Sequence, residues 1–204
     1  MEFNQENYQK VLNYIEHISV EKNIEKAKII AISKNHPQSS VLQAIKAGVQ
    51  AFGENKVQEA ENKFLSLKRK FNQLELHLTG PLQTNKVKKA LSLFNYFHTL
   101  DREKLAKEFY KHIKNNTMLE KKYFFIQVNT GLEKQKSGID PKDLNQFINY
   151  CKNEINLNIV GLMCIPPIDQ NPEQHFEMLL DLSQKNNLKY LSMGMTNDYK
   201  EALS

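Results

Sequence analysis

Cysteine is scarce in this sequence: Cys151 and Cys164 are the two in 204 residues. Neither stands in a Cys-x-x-Cys pair or at metal-ligand spacing from a histidine, which argues against a disulfide framework and against a zinc site. Their apolar neighbours predict buried thiols. Long apolar runs are also missing, so nothing reads as a membrane span. The N-terminal Met1-Glu2-Phe3-Asn4-Gln5-Glu6 lacks the apolar stretch of a secretion signal, and the chain reads as cytoplasmic. Charge of one sign is not concentrated. The net charge is +5, yet the basic clusters are short: Lys68-Arg69-Lys70, and Lys86, Lys88 and Lys89. No nucleic-acid motif accompanies them, so the excess reads as solubility, with neither nucleic acid nor membrane as a partner. No Gly-x-Gly-x-x-Gly follows the first predicted strand, which weakens a dinucleotide-binding reading. No internal linker interrupts the chain, and 1–204 reads as one domain.

What is present is an ordinary globular composition, 40% apolar and 25% charged, long enough to bury one sizeable core. Tyr8, Val11, Leu12, Ile15 and Ile18 recur at helical spacing and predict an amphipathic helix over about 5–20. Lys28–Ser33 is an apolar strand. Val41, Leu42 and Ile45 give a helix closed by Gly48. Strands are then expected at Ala51–Gly53, Leu74–Leu78, Tyr96–Thr99, Tyr123–Val128, Asn158–Leu162 and Leu188–Ser192. Between them lie helices at Glu54–Lys70 and Gln83–Leu91, one capped by Asp101, one opened by Asp140-Pro141 with Leu144, Phe147, Ile148 and Cys151 buried, and one opened by Asn171-Pro172. Asp198–Leu203 begins a last helix. Strand–helix alternation with short links predicts a parallel sheet covered by helices. Seven units favour an α/β barrel of the (β/α)8 TIM type, with the eighth strand missing where the chain stops.

In such a barrel, ligands bind at the C-terminal ends of the strands. The residues there include Ser33-Lys34-Asn35, Gly53-Glu54-Asn55, His77–Pro81, Asn129-Thr130-Gly131, Met163–Pro167 and Ser192–Thr196. Lys34 follows an apolar strand directly. Partial desolvation there would lower its pKa and free its amine as a nucleophile toward an aldehyde; the alternative is a surface lysine on a loop. Asn55 is either an amide donor to a ligand or the N-cap of the following helix. His77 alternates with Leu76 and Leu78 and is expected to face inward. Met163 either packs on a flat ring or fills core. Ser192, with Gly194 beside it, suits a phosphate, and Thr196 adds a hydroxyl or caps the last helix.

Several stretches together resemble one family. They are Ala31-Ile32-Ser33-Lys34, Phe52–Glu59, His77-Leu78-Thr79-Gly80-Pro81-Leu82-Gln83-Thr84-Asn85-Lys86, Lys136-Ser137-Gly138-Ile139, Gly161–Pro166 and Leu191-Ser192-Met193-Gly194-Met195-Thr196. In order and over nearly the whole chain, they are similar to the pyridoxal-phosphate homeostasis proteins. The resemblance implies a barrel like the N-terminal domain of alanine racemase and pyridoxal 5′-phosphate (PLP) held as an aldimine on Lys34. The cofactor-binding set it supports is Lys34, Asn55, His77, Met163, Ser192, Gly194 and Thr196, with no catalytic residue and no metal. Lys56 departs from the family's usual tyrosine. Family members also continue into a Gly-Ser/Thr segment and an Arg-x-Gly strand, so a closed barrel and full phosphate binding are expected to need that segment.

Three functions compete at this stage. The first is a PLP carrier or buffer for vitamin B6 homeostasis, a monomer that hands PLP to apo-enzymes. The second is a PLP enzyme of the racemase or decarboxylase kind, which needs acid and base groups on both faces of the substrate. The third is an aldolase-like barrel using Lys34 without cofactor. The resemblance favours the first, without turnover.

Overall fold

The computed structural model describes residues 2–114, 116, 121–133 and 135–204. Its centre is a parallel sheet whose seven strands, among the described residues, lie side by side in chain order. They are β1 (Ala31–Ile32), β2 (Ala51–Glu54), β3 (Glu75–Leu78), β4 (Tyr96–Leu100), β5 (Tyr123–Gln127), β6 (Ile159–Met163) and β7 (Tyr190–Ser192). Helices α1 (Gln5–Glu21), α2 (Gln38–Lys46), α3 (Val57–Lys70), α4 (Val87–Leu93), α5 (Glu103–Ile113), α6 (Leu144–Asn149), α7 (Pro172–Lys185) and α8 (Tyr199–Leu203) punctuate the strands. The sheet is an open (β/α)8-type barrel with β1 and β7 at its two edges, as the strand count predicts.

The two faces of each strand separate cleanly because side chains alternate. Phe52, Leu76, Leu78, Phe97, Phe124, Ile126 and Leu162 point outward into one contiguous core with the helices. In α3, Val57, Ala60, Phe64 and Leu67 are buried at helical spacing, as are Leu105, Ala106, Phe109 and Ile113 in α5. Phe97, Phe109 and Phe124 interlock with ring centroids 4.8–5.3 Å apart. Truncating any one of them to alanine should cost roughly 3–5 kcal/mol. The opposite face lines the lumen: Gly53 on β2, Glu75 and His77 on β3, Tyr96 and His98 on β4, Phe125 on β5 and Ser192 on β7.

Most sequence boundaries stand. Gly48 follows α2 in the left-handed region at φ +94°. Asp140 caps the 3-10 turn Pro141–Asp143 that leads into α6, accepting from the Lys142 amide, and Asn171 caps α7, accepting from the Glu173 amide; each is followed by proline. Cys151 and Cys164 are buried thiols. Three expectations need correction, and one turn is of a kind that no expectation covered. The first strand spans Ala31–Ile32 and not Lys28–Ser33, since an edge strand has one neighbour to hold its ladder. Asp101 does not cap α5: Arg102 occupies that position, and the Asp101 carboxylate pairs with the Arg102 guanidinium. Helix α3 starts at Val57, because Gly53 and Glu54 belong to β2. The turn after α6, Tyr150–Glu154, is π-helical, which apolar spacing does not reveal.

Candidate functional site

Lys34 lies in a turn just past β1. The turn closes with the His36 amide donating to the Ser33 carbonyl at 3.1 Å, and its third residue, Asn35, is left-handed at φ +63°. Asparagine tolerates that conformation better than most residues. Both peptide groups flanking Lys34 are tied to α3. The Lys63 ammonium donates to the Ser33 carbonyl at 2.5 Å, and the Asn35 amide donates to the Glu59 carboxylate at 2.5 Å. Behind them sits a buried ion pair, Lys63 Nζ to Glu54 Oε1 at 2.6 Å, with side chains 8% and 0% exposed. The Ser33 hydroxyl donates to the same oxygen at 2.6 Å. Lys34 is thus an exposed side chain on a hydrogen-bonded backbone. Its side chain is exposed, not desolvated as its place after an apolar strand suggests, because β1 is an edge and ends two residues earlier.

The neighbouring strand end is equally ordered. The Thr79 hydroxyl donates to Asn55 Oδ1 at 3.0 Å, which leaves the Asn55 NH2 group as a donor. Gly80 comes so close to Asn55 that a Cβ there would sit 2.6 Å from its Cα; only glycine fits. Asn55 does not cap α3: Lys56 stands at the cap, without a side-chain bond.

Deeper in the lumen, His77 faces inward as its alternation predicts. It is 3% exposed and stacks on Tyr96 with centroids 4.3 Å apart. Its Nδ1 meets His98 Nε2 at 2.9 Å, and His98 Nδ1 meets the Ser192 hydroxyl at 2.7 Å. His98 stacks on Phe125 at 4.5 Å. His77 Nε2 lies 3.6 Å from Glu75 Oε2, beyond a hydrogen bond but within reach of charge. Lys28 reaches the same carboxylate oxygen at 2.6 Å. Burial lowers the His77 pKa, and burial followed by the neighbouring His77 takes His98 down to about 3. The His77 edge first, and then Lys28, hold the Glu75 carboxyl at about 2. At neutral pH the line is therefore one carboxylate and two neutral imidazoles.

Of the residues singled out in the sequence, His77 and Ser192 are brought together through His98. Met163 pairs in register with Ser192 and is buried at 4%. Gly194 is left-handed at φ +80°, and a Cβ there would meet Ala202 at 2.8 Å, so the Ser192–Thr196 loop packs tightly on α8. Thr196 is exposed and does not cap α8; Asp198 stands at the cap without a side-chain bond to the helix, its carboxylate accepting from the Met195 amide in the preceding loop. Sequence reasoning missed His98, Glu75 and Lys63. The first two were accessible: Glu75-x-His77 and Tyr96-x-His98 are period-two pairs on strands whose alternate residues are apolar.

An open parallel barrel with a polar rim and a lysine after its first strand defines a class. A family model described as the alanine racemase N-terminal domain matches residues 7–202. The pyridoxal phosphate homeostasis protein of Aquifex aeolicus is 36% identical over 186 residues, covering 87% of this chain and 80% of its own. The solved structure of PipY from Synechococcus elongatus without PLP superposes with a TM-score of 0.78 at 31% identity, covering 93% of both chains. The same protein with PLP bound gives 0.74 at 29%. This chain belongs to the pyridoxal phosphate homeostasis proteins, within the alanine racemase N-terminal-domain family.

Proposed function

We propose that this protein binds pyridoxal 5′-phosphate at the rim of the open barrel and serves as a carrier or buffer of that cofactor in the cell. The observation that carries this reading is Lys34: an exposed amine on a backbone clamped from both sides, in a chain that belongs to a family of PLP homeostasis proteins. The donor set fits the group. Lys34 supplies the nucleophile for an aldehyde. Asn55, its oxygen taken by Thr79, offers an NH2 to the ring oxygen. Met163 offers a soft apolar contact to a flat ring. Ser192 and Gly194, with Thr196 at the loop's end, offer a hydroxyl and a turned backbone to the phosphate ester. His77 sits below, coupled to Ser192 through His98. When bound, the cofactor would supply an electron sink.

A carrier must release what it holds, and an exposed lysine in the turn after β1 suits exchange with solvent and with recipient apo-enzymes. A racemase needs an acid or base on each face of its substrate. Here the lumen imidazoles are neutral, buried and bonded to each other, which supports holding without turnover. We read the protein as a cytoplasmic monomer with neither nucleic acid nor membrane as a partner. Two buried thiols suit a reducing compartment, and among the described residues no helix is long and apolar enough to cross a membrane. The test is a PLP titration followed by visible absorbance. Wild type should develop a yellow band that Lys34→Ala lacks, and neither should racemise or decarboxylate common amino acids. Sustained turnover abolished by Lys34→Ala would replace the carrier reading with an enzyme.

A further inference from the structure

A line of polar side chains crosses the lumen from β3 through β4 to β7: the Glu75 carboxylate faces His77 Nε2 at 3.6 Å, and hydrogen bonds join His77, His98 and the Ser192 hydroxyl. The contact between His98 and Ser192 passes over β5 and β6, joining strands that are not neighbours in the sheet. The line has a direction that Glu75 imposes. An anionic oxygen 3.6 Å from His77 Nε2 favours a proton there, because a bare lone pair would face it otherwise. His77 is then protonated on Nε2 alone, so its Nδ1 accepts and His98 Nε2 donates. His98, also neutral, has an unprotonated Nδ1, and the Ser192 hydroxyl must donate to it. In this resting state the one proton of Ser192 is committed inward.

A phosphate dianion has no proton to give and needs a donor. If Ser192 turns its proton outward, His98 Nδ1 is left 2.7 Å from a hydroxyl oxygen with two lone pairs facing. That is untenable in a site where His98 is 1% exposed, unless His98 gains a proton. We propose that capture of a phosphate dianion by the Ser192 hydroxyl draws one proton from solvent into the His77–His98 pair, so that phosphate binding at this rim is proton-coupled and His98 is the positioning residue that sets the direction of the Ser192 hydroxyl. The inference rests on the reading that the Ser192 loop takes the phosphate of the cofactor.

The proton balance is simple. Before binding, the pair holds two protons, on His77 Nε2 and His98 Nε2. After binding it holds three: His98 Nδ1–H faces Ser192, a proton lies between His98 Nε2 and His77 Nδ1, and His77 Nε2–H faces Glu75. The added positive charge is best placed on His77, against the Glu75 carboxylate. The groups that surround the pair permit this. Glu75 and, through it, Lys28 are the charged ones acting on His77. Tyr96 stacks on His77, Tyr123 stacks on Tyr96, and Phe125 stacks on His98. Tyr190 on β7 acts on Tyr96, and burial holds the Tyr96 phenol up at about 12, so it stays neutral. Gly53, Gly161 and Met163 bring no charge. Since burial keeps both imidazoles neutral beforehand, a third proton in the pair after binding is one newly taken from solvent.

The test is calorimetry with pyridoxamine 5′-phosphate, which has the phosphate but no aldehyde, at about pH 7.5, well above a phosphoester's second pKa of ~6. Titrations in two buffers of different ionisation enthalpy count the protons, with pyridoxamine as the control for the ring and amine. Wild type should take up about one proton per phosphate ligand, and its affinity should fall up to about tenfold per unit rise in pH over the range in which the bound pair holds the extra proton and the free pair does not. His98→Gln should bind with no proton uptake and a flat pH profile; Ser192→Ala, at a half-buried position, should do the same if His98→Gln does not fold. Binding by wild type with no proton uptake, or unchanged uptake in Ser192→Ala, overturns this inference and leaves the cofactor reading standing. No binding of the phosphate ligand at all overturns both.

Discussion

Lys63→Met removes one charge from the ion pair behind the Lys34 turn while keeping most of the side-chain volume. Glu54 is fully buried. One of its oxygens, Oε2, already lacks a hydrogen-bond partner, and the other accepts from Lys63 and Ser33. Without Lys63, the Ser33 hydroxyl is left, among the described residues, as the sole donor to a carboxylate in the interior. Breaking a buried pair from one side typically costs about 3–5 kcal/mol, mostly because the orphaned charge stays buried. For a chain of this length each kcal/mol shifts the melting point roughly 2–4 °C, so a fall of about 6–20 °C is expected. Urea unfolding with an unchanged m-value is the cleaner assay. Adding Glu54→Gln should restore a good part of the loss, since Gln keeps an acceptor for Ser33 without the charge. Lys63→Met should also slow capture of PLP by Lys34, because the Ser33 carbonyl loses its clamp. A cost below about 1 kcal/mol, in the range of an exposed pair, or no recovery in the double variant, would refute the reasoning.

Acid should destabilise the protein through its histidines before its carboxylates. The folded His98 pKa is depressed to about 3, so below the unfolded value of ~6.5 the unfolded chain binds more protons. Stability is then complete above about pH 6.5 and falls as pH drops, by up to about 1.4 kcal/mol per unit for each such histidine. Urea midpoints at about pH 7.5 and about pH 5 should show the fall, and His98→Gln should flatten it; equal slopes would count against a buried neutral His98. Cys151 and Cys164, whose thiols burial pushes up to about 12, should resist a thiol reagent in the native state and react once unfolded. Rapid native labelling would contradict that burial.

Much of this architecture was legible because the two faces of each strand differ in kind. Apolar alternation located all seven strands, and proline after Asp140 and Asn171 marked helix starts by a local rule that tertiary structure did not override. The errors cluster where local and long-range preferences compete. Asp101 has the right chemistry for a cap, but its carboxylate goes to Arg102. Asn55 likewise turns to Thr79, a residue far away in sequence. The exposure of Lys34 depends on β1 lying at a sheet edge, which a strand's own residues cannot disclose. Of the site, Lys34, His77 and Ser192 are in the sequence motifs. The line joining His77 to Ser192 is not, since His98 reads as one more strand residue until β4 and β7 are seen to face each other across the lumen.

The central claim is that Lys34 is the residue that bonds to PLP. Incubation with PLP, reduction by borohydride, proteolysis and mass mapping test it directly. The account predicts a pyridoxyl group on the peptide containing Ile32-Ser33-Lys34-Asn35 and its loss in Lys34→Ala. A pyridoxyl group fixed on another lysine, or none at all in wild type, would contradict it.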